Sequence, residues 1–402
     1  MTTLRILHSS DLHARAEAED DQRLIIQALI SDAAARSQER AFDLAVVSGD
    51  LAFSGTDGDF DLARRMLLEP LADALDLPLA QVVVVPGNHD VNRDRINRFL
   101  ERGYSDLLID RAAVNGLLSE PVELAAATER LTEWNRFHVE LYEDDPPEQI
   151  APLAFLHRFD FDGLRVGVAA LNSAWRARGG DEDRRRLLLG DKQVSPALAG
   201  LADCDVPIVV LHHPLDWLSR FDADDVRGQL ARGAVLVLSG HEHVPDPTFE
   251  AGAHGQALFS RAGCLYESEE YFNGYSIVDI DLNSRTVAVS LRTWWRERRV
   301  FDQATAVAAE GRITLTWPQA ATGASIGPAL STVLSSLAQR AQEVSVVADR
   351  LRRPTDAELD ELLVPPRFWP LPYNEIQAAG GLKMDSNRSP PTLSYRSQRA
   401  GD

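Results

Sequence analysis

Short apolar runs alternate with helical stretches over the first 300 residues of the chain. The runs Leu4–His8, Leu44–Ser48, Val82–Val85, Arg165–Leu171, Pro207–Leu211 and Ala234–Leu238 are nearly uninterrupted. That is the pattern of strands buried on both faces. Ala257–Ser260 predicts a further strand, while Ser276–Leu282 and Thr286–Arg292 alternate in part around Asn283-Ser284 and predict a hairpin. Asp21–Ala35 and Gly58–Leu75 carry helical spacing between strands. The alternation predicts a layered α/β architecture.

From Asn92 to Asp160 the pattern turns mainly helical, with Pro121 near one helix start and a breaker at Glu143-Asp144-Asp145-Pro146-Pro147. This predicts a helical insertion, or cap, on the α/β body. Beyond Pro318, Leu330, Leu334, Leu337, Ala341, Val344, Ala348 and Leu351 keep spacings of four and three. Such a stripe suits a helix docked on the parent domain as well as a coiled-coil dimer. Proline density in Leu362–Pro372 predicts extended chain, and residues 380–402, rich in Gly, Ser, Arg and Pro, predict disorder. The expected organisation is a 1–318 body with a cap at about 92–160, a helical segment 319–353 and an extended tail 354–402. Residues 329–372 would offer contacts to a second copy or a protein partner.

Composition narrows the function. Hydrophobic residues are 45% of the 402, ample for a sizeable core. No run approaches the ~18 apolar residues of a membrane span, so no membrane partner is expected. Two cysteines cannot build a disulfide framework, and the start leads straight into a strand; both predict a cytoplasmic protein. A net charge of −20 repels polyanions and argues against broad binding to duplex nucleic acid. Arginines cluster locally at Arg285–Arg299 and at Arg184-Arg185-Arg186. These read as solvated edges and loops, or as a groove for single-stranded nucleic acid.

Six of the ten histidines fall in five short clusters that end strands. Asp11-x-His13, Gly49-Asp50, Gly87-Asn88-His89-Asp90, His212-His213-Pro214 and Gly240-His241-x-His243 appear in that order. Sites in open α/β sheets gather outside the carboxyl ends of strands. Imidazole mixed with carboxylate suits Mn, Fe or Zn. Glycine before Asp50, Asn88 and His241 permits turns that aim those groups inward.

These five clusters resemble the motifs of the calcineurin-like metallophosphoesterase superfamily over about residues 4–300. The resemblance implies a four-layer α/β/β/α sandwich with a binuclear metal centre, most simply two Mn2+, with Fe or Zn as substitutes. By motif position, Asp11, His13, Asp50 and His243 would hold one ion, and Asp50, Asn88, His212 and His241 the other, Asp50 bridging. His212 is chosen over His213 because the motif places it two residues before the proline. His89 would face substrate as an acid or a positive partner. Asp90 would orient His89 or cap the following helix.

The arginine of Gly-Asp-x-Val-Asp-Arg-Gly phosphoprotein phosphatases is missing from Gly49-Asp50-Leu51-Ala52-Phe53-Ser54-Gly55. The segment is more similar to phosphodiesterases. The expectation is hydrolysis of a cyclic nucleotide or other small phosphodiester. The alternatives are a nuclease acting on DNA or RNA ends or single strands, as effector of a larger bacterial system, and an inactive binding scaffold.

Overall fold

The apolar runs become strands whose alternate side chains serve two different cores. A computed structural model describes residues 3–252, 255–266 and 272–316. β1 (Thr3–Ser9), α1 (Glu19–Glu39), β2 (Leu44–Val47), α2 (Asp57–Ala63), α3 (Glu69–Leu75) and β3 (Val82–Val84) come first. Four helices follow: α4 (Arg98–Leu107), α5 (Arg111–Ser119), α6 (Pro121–Ala127) and α7 (Thr132–Leu141). Next come β4 (Glu148–Ala151), β5 (Ala154–Phe161), β6 (Leu164–Leu171), α8 (Asp191–Leu201), β7 (Val206–Val210), α9 (Arg220–Gly233) and β8 (Leu236–Ser239). The rest is strand: β9 (Asp246–Gly252), β10 (Gly255–Arg261), β11 (Gly274–Asp281), β12 (Thr286–Trp295), β13 (Val300–Gln303) and β14 (Arg312–Thr316).

Among the described residues two seven-stranded sheets result. One has the order β13-β12-β11-β1-β2-β3, with β14 also on β12; the other runs β4-β5-β6-β7-β8-β10-β9. Leu4, Ile6, Leu44 and Val46 from the first sheet meet Val166, Val168, Ile208, Val210 and Leu236 from the second in one buried cluster. Their neighbours in sequence, Leu7, Ala45, Val47, Val209 and Val237, face a second cluster that includes the helices. The period of two thus divides each run between the inter-sheet core and a helical layer. The architecture is the α/β/β/α sandwich. The compact unit spans Met1–Ala320. The expected helix at 319–353 and tail at 354–402 lie outside the described residues. Among those described, no helix is long and apolar enough to cross a membrane.

The expected cap is helical only as far as Leu141. Residues 148–161 instead form the antiparallel pair β4–β5, which extends the second sheet through β6. In β5, Phe155, Phe159 and Phe161 pack on the inter-sheet cluster while Ala154 and Leu156 face the other. That alternation belongs to a strand. The predicted hairpin forms between β11 and β12, with Asp281 opposite Thr286 and the Asn283 N–H donating to Asp281 Oδ1 at 2.8 Å.

β3 ends the first sheet, and an open strand edge needs partners. The buried Tyr142 hydroxyl supplies them, donating to the Val82 carbonyl at 2.6 Å and accepting the Val84 N–H at 3.2 Å. Two buried histidines flank this tyrosine, His138 at 4.9 Å and His157 at 5.2 Å between ring centroids. Burial pushes His138 down to about 4 and His157 to about 3. Each is neutral when folded yet titrates near 6.5 when unfolded, so stability is full above that value and falls with acidification. Urea unfolding should show a loss of about 1–2 kcal/mol per histidine between pH 7 and 5. A His138→Phe/His157→Phe variant should flatten this slope; an unchanged slope would assign the acid sensitivity elsewhere.

Candidate metal centre

The carboxyl ends of β1, β2 and β3 in one sheet and of β7 and β8 in the other carry all five clusters. Asp11, His13, Asp50, His241 and His243 all have positive φ, between 52° and 74°. Non-glycine residues avoid this region, and its concentration at one place marks a functional site. Two glycines permit the close approach. A Cβ on Gly87 would fall 2.1 Å from Asp50 Oδ1, and one on Gly240 would fall 2.7 Å from Asp11 Oδ2.

The side chains converge. His243 Nε2 lies 3.2 Å from Asp11 Oδ1, and His13 Nε2 lies 3.9 Å from the same oxygen. His212 Nδ1 donates to the Ser48 carbonyl at 2.7 Å, which turns Nε2 towards Asp50 Oδ2 at 3.3 Å and Asn88 Oδ1 at 3.2 Å. The His241 ring is 5.1 Å from that of His212, and its backbone N–H donates to Asp11 Oδ2 at 3.1 Å. Four overlapping sets of three donors arise: Asp11/His13/His243, His13/Asp50/His89, Asp11/Asp50/His212 and His212/His213/His241. Within each set the ligand atoms lie within 4.8 Å of one another.

The donor set fits divalent cations. Both ring nitrogens of His13 are buried without a hydrogen-bond partner. Oxygens of Asp11, Asp50 and Asn88 gather 4.0, 3.3 and 3.2 Å from His212 Nε2, an arrangement that calls for positive charge. Burial alone would raise Asp11, but the His243 hydrogen bond and the His212 charge hold it down to about 2. Asp50 is likewise held well below the usual carboxylate range: burial opposes this, and the facing His212 outweighs it. Burial, with His212 nearby, pushes His241 down to about 3, and burial also lowers His13. Ionised carboxylates beside neutral imidazoles are the protonation states metal binding requires. His212 goes the other way, up to about 9: burial lowers it, but the two carboxylates prevail. Facing them, this imidazole carries the positive charge that a bound cation would replace.

All nine sequence-derived residues lie at this end of the sandwich, though not all in the expected role. Among the described residues Asp90 makes no hydrogen bond to the His89 ring or to a helix end. Its carboxylate accepts the Ala52 N–H at 2.7 Å and the Gly87 N–H at 2.8 Å, stapling the loop after β2 to the loop after β3. Asn92 caps the next helical turn through the Asp94 N–H. His89 is set by backbone: its N–H donates to Asp50 Oδ1 at 2.7 Å, and ring Nδ1 meets the Phe53 carbonyl at 2.8 Å.

His213, passed over in the sequence, also reaches the site. Ser173 Oγ accepts the His213 backbone N–H at 3.0 Å and lies 2.9 Å from its Nδ1, and Nε2 lies 3.1 Å from Asn88 Oδ1. The ring therefore positions the Asn88 amide. Two consecutive histidines reach one centre because the chain has left the strand and no longer alternates faces. Trp217, edge-on to His241 at 4.0 Å, had no signal of its own beyond proximity to the His-His-Pro motif.

The chain is 23% identical over 316 residues to an uncharacterised metallophosphoesterase-like protein of Bacillus subtilis, YydB. The match covers 75% of the chain and 61% of that relative's length. Among solved structures, a predicted phosphoesterase of Streptococcus pneumoniae is 14% identical with a TM-score of 0.30, covering 73% of this chain and 91% of that one. The NAD nucleotidase of Haemophilus influenzae is 10% identical with a TM-score of 0.36, covering 73% and 52%. The profile of the calcineurin-like phosphoesterases matches residues 4–245. With that match over more than half its length, and with clustered Asp and His donors suited to divalent cations, the chain belongs to the calcineurin-like phosphoesterase family.

Proposed function

We propose that the chain is a binuclear-metal phosphodiesterase acting on a small nucleotide phosphodiester. The observation that carries this reading is the convergence of Asp11, Asp50 and Asn88 oxygens on His212 Nε2, with buried His13 close to Asp11 and without a hydrogen-bond partner of its own. Asp11, His13, Asp50 and His243 would hold one ion; Asp50, Asn88, His212 and His241 would hold the other. Mixed nitrogen and oxygen donors suit Mn2+, and also Fe or Zn. Two divalent ions bound there supply Lewis-acid charge and an acidified water.

His89 stands at the exposed side of this set, with its ring 4.5 Å from that of His13. The Phe53 carbonyl can only accept, so Nδ1 keeps its proton and Nε2 is the atom that exchanges one with substrate. In the protonated form Nε2–H donates to the leaving oxygen. At the position of the arginine that would grip a monoester dianion the motif presents Ser54, next to Phe53, whose ring lies 5.4 Å from His89. This favours a diester.

The direct test is Mn-dependent hydrolysis of bis(p-nitrophenyl) phosphate beside p-nitrophenyl phosphate. The diester should turn over faster. Metal binding without turnover of either would leave a binding module in place of an enzyme. His89→Ala should keep its metal and lose turnover on the order of 10²-fold on alkyl leaving groups. With p-nitrophenolate, which hardly needs a proton, the loss should shrink. Equal losses for both would make His89 a phosphate ligand instead of an acid.

A further inference from the structure

A cavity of about 970 Å³ opens between α4 and the loop that links β6 to α8. Seven arginines line it against three carboxylates, in a chain whose net charge is −20. Two of those carboxylates are already engaged. Glu101 is bound by Arg130 and Arg176, and Asp183 accepts the backbone N–H groups of Arg178 at 2.9 Å and Gly179 at 2.6 Å. Exposed Arg93, Arg98, Arg102, Arg185 and Arg186 make no ion pair among the described residues. Arg176 is only 6% exposed, and its Nη1 has no hydrogen-bond partner. Burial chiefly pushes this guanidinium down to about 10; Glu101 opposes the shift and the neighbouring Arg130 and Arg178 add to it. An anion in the cleft would satisfy the buried donor and offset the crowding of like charge.

The loop that supplies one wall of this cleft also touches the metal centre. Ser173, in the same loop, bonds His213. Arg184 lies 5.7 Å over the Trp217 ring, which is edge-on to His241. Arg93, four residues beyond His89, lies against Gly179, where a Cβ would fall 2.4 Å from its guanidinium carbon. Aromatic faces accompany the charges. Tyr104 and Phe221 line the cleft, and Phe99, 91% exposed, is a surface neighbour of Arg102 on α4. Tyr104 and Phe221 are half-buried, and Arg176 covers Tyr104 at 4.8 Å; arginines beside aromatic rings are one means by which proteins hold single strands, through phosphates and stacked bases.

We propose that this cleft is a subsite for a nucleotide chain, its arginines taking the phosphates of a short single strand whose terminal phosphodiester lies at the metal centre. The placement of the scissile bond rests on the phosphodiesterase reading; the binding of the strand does not. The strand is short because the net charge repels long polyanions and the local excess of arginine is confined to one cleft.

The test is fluorescence anisotropy of a labelled ten-residue oligothymidylate with the metal-free full chain, with inorganic tripolyphosphate as competitor. Arg98→Ala/Arg102→Ala/Arg186→Ala should weaken the strand on the order of tenfold or more and lower the log–log salt slope by about 2. The matching triple lysine variant should recover most of the affinity, which separates lost charge from lost fold. Turnover of bis(p-nitrophenyl) phosphate by Mn-loaded protein, which needs no second phosphate, should be unchanged. Equal strand affinity in the alanine variant overturns the proposal. So does arginine-dependent binding of tripolyphosphate with none of the strand. A wild type that binds the strand through these arginines yet hydrolyses no diester refutes the catalytic reading and upholds the cleft.

Discussion

Asp50→Asn is expected to take bound manganese from about two ions per chain to none and to abolish phosphodiester turnover. The substitution is nearly isosteric. An amide oxygen can still accept the His89 N–H, so the loop after β3 keeps its anchor. The charge facing His212 Nε2 at 3.3 Å and shared between both proposed ligand sets is lost. The metal-free variant should lose some stability, because buried His212 loses the carboxylate it faces, a loss tempered by relief of the repulsion between Asp50 and Asp11. Wild type should gain melting temperature on Mn2+ addition by mass action, and the variant should not. Elemental analysis with paired melting curves checks both halves. His13→Ala touches one ligand set only and should lose about one ion.

Glu101→Ala should cost about 3–5 kcal/mol, the largest stability effect expected of a single substitution here. Glu101, Arg130 and Arg176 are 5%, 4% and 6% exposed, and the carboxylate binds both guanidinium groups. Arg130 also donates to the Ala177 carbonyl at 2.9 Å. The network ties α4 to the turn before α7 and to the loop after β6, so it fixes one wall of the arginine cleft. Truncating the acid leaves two buried cations without a counter-charge. Urea unfolding measures the loss, and adding Arg176→Met to the variant should recover part of it. A cost below about 1 kcal/mol would mean that water reaches these groups and screens them.

The strands that carry the metal centre were legible because they are buried on both faces: apolar runs such as Val82–Val85 leave few alternatives. The ligand clusters were legible because several rare donor types recur at strand ends. Asp90 was legible as a position but not as a role, since only the folded loops show that its oxygens accept the Ala52 and Gly87 amides. β4 and β5 were hidden by the helical stretch before them, although Phe155, Phe159 and Phe161 already alternate. The basic run Arg285–Arg299 misled in part. Arg292 turns inward and pairs with Asp32 through two bonds of 2.7 and 2.8 Å, so it is a structural ion pair and lines no groove. Arg185 and Arg186 do line a cleft, but with partners near residue 100 that no local pattern connects to them.

Diffraction from crystals of the full chain grown with Mn2+, collected at the manganese edge, decides how many ions the chain holds. Two anomalous peaks per chain are expected. One is expected among Asp11, His13, Asp50 and His243, the other among Asp50, Asn88, His212 and His241, both touching the Asp50 carboxylate. A single peak, or none, in crystals of protein that still hydrolyses a phosphodiester would contradict the binuclear reading.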